Sequence, residues 1–259
     1  MLHHLESLAG LHGLVHAVST RAGGVSRGPF ESLNLGLHVG DDPRAVLENR
    51  RRVCAALGVD LDSVVAGAQV LGNAVAWATE VHRGRGARDL AAALPDTDAL
   101  ITDTPGLVLA AFSADCPLVA LADPARRAIG LAHASRRGTL GGIARRTVQA
   151  LERLFGCRPA DLVAAVAPSI GPCCYEVGDD VAAEARAALP GGDRFLARRH
   201  GRWHLDLWAA NAAQLAQAGL DPCRIETPRL CTRCHPDLFF SHRASGGTTG
   251  RFAVLLALR

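Results

Sequence analysis

The sequence predicts an α/β fold in a single domain spanning residues 1–259, and three observations lead there. Strand-length apolar runs recur along the chain and are more continuous than alternating, as expected for strands buried on both faces. Helical stripes with recognisable start and stop residues lie among them. Strands and helices are mixed without the regular alternation of βαβ units, so hairpins with inserted helices suit the pattern better than a Rossmann sheet.

In chain order, residues 14–18 make the first apolar run, and Asp42-Pro43 opens a helix that Gly58 closes. Proline is tolerated in a first helical turn, and glycine past the last turn ends one. Runs at 63–70 and 74–81 follow, then a cluster at 107–113, 117–122 and 128–132. A second helix is expected from about Thr139 to Gly156, with Leu140, Ile143, Thr147, Leu151 and Leu154 on one stripe. Residues 162–167 read as a strand. A third helix follows Asp206, with Leu207, Asn211, Leu215 and Ala218 ahead of Gly219, and 252–258 is the last strand. No Pro/Ser-rich linker or solenoid-period repeat divides the chain.

Composition narrows the function. The chain is 49% apolar and 20% charged, with a net charge of only +3. Phosphate-backbone binding needs basic residues gathered on one face, and the runs Arg50-Arg51-Arg52 and Arg136-Arg137 are short, so nucleic acid is not expected. The apolar runs are far below a membrane span, and the N-terminal stretch lacks a secretion signal. Eight cysteines in a chain of this size without a signal are expected to be reduced. The reading is a cytoplasmic protein, with no membrane and no protein partner inferred.

The most informative stretch runs from Ala114-Asp-Cys116 to His133, two apolar runs around the turn composition Asp123-Pro-Ala-Arg126. A two-residue loop at Pro124-Ala125 places Cys116 directly opposite His133, with Cβ atoms roughly 5 Å apart. A thiol beside an imidazole either binds a metal or becomes a nucleophile deprotonated by the histidine. Ala134-Ser-Arg-Arg-Gly138 follows at once, and glycine with arginines at a helix start suits an anion such as phosphate. Asp115 is a candidate to orient the imidazole or carry a proton.

Several segments together are similar to the YfiH-like family, also called the laccase-domain or multicopper polyphenol oxidase family. They include Ser19-Thr-Arg-Ala-Gly-Gly-Val-Ser26, Ser32-Leu-Asn-Leu-Gly36, Glu48-Asn-Arg50, Asp98-Ala-Leu-Ile-Thr102 and Ala114-Asp-Cys116. The series continues through His133-Ala134, Arg137-Gly138, Ile170-Gly-Pro172, Tyr175-Glu-Val-Gly178, Cys231-Thr232, Phe240-Ser241, Arg243 and Gly250-Arg251. The resemblance implies an α/β layered sandwich of packed mixed β-sheets and helices. It also implies zinc-dependent phosphorolysis of purine nucleosides (adenosine, inosine, guanosine, methylthioadenosine), plus adenosine deamination, so the implied partners are a purine nucleoside and phosphate. Cys116 and His133 match two of the family's three zinc ligands and are the catalytic candidates with Asp115. Arg21, Asn34, Arg137, Ser241 and Arg243 are polar residues within the matching motifs and are the substrate-binding candidates.

The first ligand departs from the family pattern, since Gln69-Val70-Leu71-Gly72 carries leucine where the family has histidine. His82 is the nearest replacement in sequence, but eleven extended residues span roughly 35 Å, so it reaches Leu71's place only if the chain folds back sharply. Copper-cluster chemistry is rejected, because eleven histidines contain no His-x-His pair. Cys231-Thr-Arg-Cys234 is half of a zinc site, and the vicinal pair Cys173-Cys174 makes a strained donor pair, so these are expected to be local packing. Two alternatives to the nucleoside enzyme stay open. One is a Cys116–His133 thiol hydrolase acting on a peptidoglycan precursor; the other is a catalytically weakened nucleoside-binding protein, because Leu71 replaces a metal-binding histidine.

Overall fold

The structure, a computed structural model, describes residues 2–227 and 229–259. One sheet has five strands in the order β1 (Leu2–His3), β2 (Leu14–Ser19), β14 (Phe252–Leu258), β6 (Val108–Ser113) and β3 (Val64–Ala66). It is antiparallel except where β3 runs parallel to β6. A second sheet orders β13 (Ile225–Glu226), β9 (Val163–Val166), β7 (Leu118–Asp123), β8 (Ala128–His133), β5 (Ala99–Thr102) and β4 (Val75–Trp77). Its centre is antiparallel and its two outer pairs are parallel. A small third sheet orders β10 (Glu176–Val177), β12 (Arg202–Leu205) and β11 (Leu196–Arg199). The described α-helices are α1 (Glu6–Ala9), α2 (Pro43–Leu57), α3 (Arg136–Leu140), α4 (Ile143–Phe155), α5 (Asp179–Ala188), α6 (Leu207–Gln217) and α7 (His242–Ser245).

The two large sheets pack face to face, giving layers in the order α2, five-stranded sheet, six-stranded sheet, then α4 with α6. Leu109, Ala111, Val254 and Leu256 of the first sheet share one cluster with Leu118, Ala120, Ile129 and Leu131 of the second. The opposite face of the second sheet, through Val119, Leu121 and Ala132, meets Ile143, Val148 and Leu151 of α4 and Leu215 of α6. The opposite face of the first meets Val53, Cys54 and Leu57 of α2. Successive residues of a strand point to opposite faces, so β7, β8 and β14 are buried along their whole length. That is the continuous apolar pattern of the sequence, and the mixed layered sandwich that the family resemblance implied is what forms.

Helix ends follow the expected chemistry. The Asp42 side chain accepts from Arg44 N at the start of α2, and Gly58 ends it in a left-handed conformation. Asp206 caps α6 by accepting from Ala209 N. Four expectations need correction. The 139–156 helix is two helices, because Gly142 adopts φ +78° and breaks the path between α3 and α4. The runs 63–70 and 74–81 hold only short strands, Val64–Ala66 and Val75–Trp77. After Trp77 the chain turns, and the Thr79 hydroxyl and backbone bind the His82 ring in a tight turn. Strand β5 and helix α5 carry no strong sequence pattern, yet both form.

The fourth correction concerns the hairpin of β7 and β8. Asp123 Oδ1 accepts from both Ala125 N and Arg126 N, and Arg127 takes φ +52°. The loop therefore has four residues rather than two, and Leu118, not Cys116, lies opposite His133. A shift of two keeps the alternation of faces. Cys116 stays at the same open end of the hairpin and lines the same cavity as His133.

Leu109 is fully buried between the two sheets. Leu109→Ala is expected to destabilise the protein by about 2–5 kcal/mol, measured as a lower urea midpoint with unchanged slope.

Candidate active site

The β5–β8 ladder ends at Ala99 opposite Ala132. One rung further, His133 N donates to the Asp98 carbonyl at 2.7 Å. That rung sets the side chains together as well: His133 Nδ1 lies 2.9 Å from Asp98 Oδ1, with both side chains almost wholly buried. The Asp98 carboxylate also accepts the amide N–H groups of Val70 at 3.1 Å, Leu71 at 3.2 Å and Gly72 at 2.8 Å. Burial works against the charged carboxylate, but the His133 bond and the amides of Gly72 and Val70 outweigh it. The group is held below the ordinary carboxylate range.

Burial likewise opposes a charged His133, yet the bonds to Asp98 and then to Cys116 prevail, and its pKa is pushed up to about 9. With Nδ1 engaged by Asp98, Nε2 is the nitrogen left for Cys116 or a substrate. The line Asp98–His133–Cys116 has the geometry of a positioned proton donor next to a sulfur.

Cys116 sits in the bend between β6 and β7. Asp115, at φ +101°, precedes it, and its side chain is fully occupied. Oδ1 accepts from Thr232 Oγ1 and Oδ2 from Arg243 N, both at 2.7 Å, while its carbonyl accepts from Ile170 N at 2.8 Å. Asp115 thus fastens three loops around Cys116, and the orientation of the imidazole expected of it falls to Asp98.

Two cavities meet here. The larger, about 560 Å³, is lined by His38, Gln69, Phe112, His133, His242 and Arg251 among others. The smaller, about 170 Å³, is lined by Ser135, Arg136, Arg137 and Leu207. Leu71, Asp115, Cys116, Ile170 and Tyr175 line both. Volumes of roughly 300–1,000 Å³ are typical of small-molecule sites.

Of the expected binding residues, Arg243 lines the larger cavity, with its guanidinium over the Tyr175 ring at 5.2 Å, and Arg137 lines the smaller. The other three are placed elsewhere. Arg21 spends its guanidinium on the carbonyls of Glu31 and Pro236. Buried Asn34 accepts from Gly36 N and Arg251 N, bracing the loop behind the cavity. Ser241 caps α7 by accepting from Ala244 N. The sequence reading missed Asp98, His38, Tyr175, His242 and Arg251. Asp98, Tyr175 and Arg251 stood inside recognised motifs, but no spacing rule links Asp98 to His133 across 35 positions. His38 is held neutral-leaning: burial, then Arg251 and Arg50, push its pKa down.

A catalytic zinc takes three protein ligands and an open position. Cys116 and His133 supply two. Leu71 holds the third place on the cavity wall with an apolar side chain, and among the described residues no other His, Cys, Asp or Glu joins the two within ligating reach. The residues do not fit a three-ligand zinc. His82 is no substitute, being turned into its own capping interaction. A copper cluster fits still less well, since it needs many converging imidazoles. A different donor set does assemble away from the cavity. Cys173, Cys174, Cys231 and Cys234 bring four sulfurs within 4.8 Å of one another, so the expectation of unrelated local packing for these pairs is corrected.

Comparison with known proteins bears on the same residues. Residues 15–259 match the family described as "Multi-copper polyphenol oxidoreductase laccase". The chain belongs to this family. It is 43% identical, over 95% of its length and 91% of the relative's, to the purine nucleoside phosphorylase YlmD of Geobacillus stearothermophilus. It is 37% identical to the adenosine deaminase RL5 of an unknown prokaryotic organism, covering 92% of this chain and 91% of that protein. The crystal structure of the Bacillus licheniformis hypothetical protein YfiH superposes with a TM-score of 0.93 at 38% identity, over 96% of this chain and 94% of that one. No described helix is long and apolar enough to cross a membrane.

Asp98→Asn removes the charge and replaces one of the two accepting oxygens by a donor, so the His133 pKa is expected to fall from about 9, read by NMR titration of the ring. A raised histidine pKa contributes stability that is complete below 6.5 and lost as pH rises through about 9. That dependence should shrink in the variant, measured by denaturation at both ends of the window.

Proposed function

We infer that the protein is a purine nucleoside phosphorylase, with residues 1–259 acting as one cytoplasmic domain. The reading rests on the junction of the two cavities at Cys116: one large enough for a nucleoside, the other smaller and lined by two arginines. The names of the relatives support it, and eight free cysteines among the described residues suit a reducing compartment.

Phosphate occupies the smaller cavity beside Arg137 and beside Arg136, which is paired with Glu184. Guanidinium groups hold phosphate oxygens in forked geometry. The nucleoside fills the larger cavity, its ribose toward Cys116. A phosphate oxygen bonds to the anomeric carbon, the carbon–nitrogen bond breaks, and its electron pair passes to the purine. His133, held protonated by Asp98, donates a proton to that leaving base. The products are ribose 1-phosphate and a free purine. Adenosine deamination belongs to the same pocket, and its product, inosine, separates from adenine in the same assay. No step passes through zinc, because the donors around Cys116 do not fit it.

A thiol hydrolase acting on a peptidoglycan precursor is the second reading, favoured by the Asp98–His133–Cys116 line. It requires inactivation by iodoacetamide that is indifferent to chelators, together with cleavage of such a precursor. A nucleoside-binding protein requires binding without turnover.

Incubation with adenosine and phosphate is expected to yield adenine, resolved by chromatography. His133→Ala should reduce turnover at least about 100-fold, whereas Arg137→Ala should chiefly raise KM for phosphate. Full turnover in His133→Ala overturns the reading. Leu71→His offers a third donor at an exposed, left-handed position that histidine adopts more readily than leucine. It is expected to bind one zinc equivalent more than the parent chain, measured by titration in competition with a chromogenic chelator.

A further inference from the structure

The four-cysteine cluster is not used by nucleoside chemistry, and its geometry has a purpose of its own. Cys234 Sγ lies 3.7 Å from Cys173 Sγ and 3.5 Å from Cys174 Sγ, and all four sulfurs fall within 4.8 Å of one another. Four sulfurs placed tetrahedrally at ~2.3 Å from one zinc stand roughly 3.8 Å apart. The observed separations are too long for a disulfide, and all four thiols are free. Core packing does not account for them either, since Cys173 and Cys234 are exposed.

The backbone is shaped for the same end. Cys174 N and Tyr175 N both donate to the Gly171 carbonyl, and Cys234 N and His235 N both donate to the Cys231 carbonyl, so each pair sits in a tight turn. Gly171 N donates to Cys231 Sγ at 3.3 Å, joining one turn to the sulfur of the other. A bridge between Ser169 and Cys231 locks the two loops side by side.

We propose that Cys173, Cys174, Cys231 and Cys234 form a closed tetrathiolate site for one structural zinc ion. Loading replaces four thiol protons: one Zn²⁺ and four S–H groups give a Zn(S)₄ centre of charge −2 and four protons. No coordination position is left open, so the ion takes no part in turnover. Its role is to staple two loops that grip the same active-site residue. The Gly171 loop carries Ile170, which donates to the Asp115 carbonyl, and Tyr175 on the cavity wall. The Cys231 loop carries Thr232, which donates to the Asp115 carboxylate.

The test is metal content of the full-length protein, purified under reducing conditions without a histidine tag and measured by plasma mass spectrometry. About one zinc per chain is expected. It should persist in Cys116→Ala and His133→Ala, and be lost in the Cys173→Ser, Cys234→Ser double variant. If that variant does not fold, alkylation of the parent chain decides. With zinc bound, iodoacetamide should modify exposed Cys223 and spare the four cluster thiols, and a strong chelator should expose them. Protein without zinc, zinc lost on removing Cys116 but kept in the double variant, or cluster thiols alkylated as fast as Cys223 would each overturn the proposal.

Discussion

The Asp98 carboxylate is buried with four donors around it, and the active centre is arranged by that requirement. An ionised carboxylate without partners costs several kcal/mol to bury, so the amides of Val70, Leu71 and Gly72 and the ring of His133 are gathered to it. Gathering three successive amides forces the loop into a concave path and places Leu71 at φ +61°. Its side chain is thereby thrown onto the cavity wall, 44% exposed. The backbone at this position is held by Asp98 whatever side chain it carries. A histidine in place of Leu71 would therefore leave the clamp intact. Gly138 closes the arrangement from the far side: a Cβ there would come within 2.8 Å of the Gly72 carbonyl.

A similar device braces the opposite wall. Asn49 and Arg50 of α2 are buried beneath the loop that carries His38. Asn49 binds the carbonyls of Ser32 and Asn34, and Arg50 binds those of Leu35, Gly86 and Ala87. Burial lowers the Arg50 pKa to about 10, so the guanidinium stays charged and its bonds to carbonyls remain strong. The motif residues Asn34, Asn49 and Arg50 thus act on the backbone of the pocket wall. Arg21 and Ser241 belong with them. A residue held within a motif by loop geometry looks, in sequence, the same as one held there by substrate.

The proximity of Cys116 and His133 was legible in sequence, though by a register that the structure revises. The pairing was reached through a two-residue loop; Asp123 builds a four-residue one by accepting two amides. The even shift preserved the end of the hairpin and the face, so the conclusion survived a change in its geometry. Asp98 was harder to see. It reaches His133 only because β5 pairs with β8, and β5 is too short to show a periodic pattern. The cysteine cluster was missed for a related reason. Each pair looks incomplete alone, and only the packing of the loop after β9 beside the loop after β13 unites them.

Hydrophobic patterning, caps and turn residues were enough to determine the mixed α/β class, the ends of α2 and α6 and the strands buried on both faces, while the layered arrangement was implied by the family resemblance. These depend on contacts between near neighbours in sequence or on the burial period of one element. Tertiary structure alone decided which carboxylate serves His133, which arginines face a cavity, and which four sulfurs converge. Each is a meeting of side chains distant in sequence, set by strand order and loop packing, and a one-dimensional pattern carries no record of such distances.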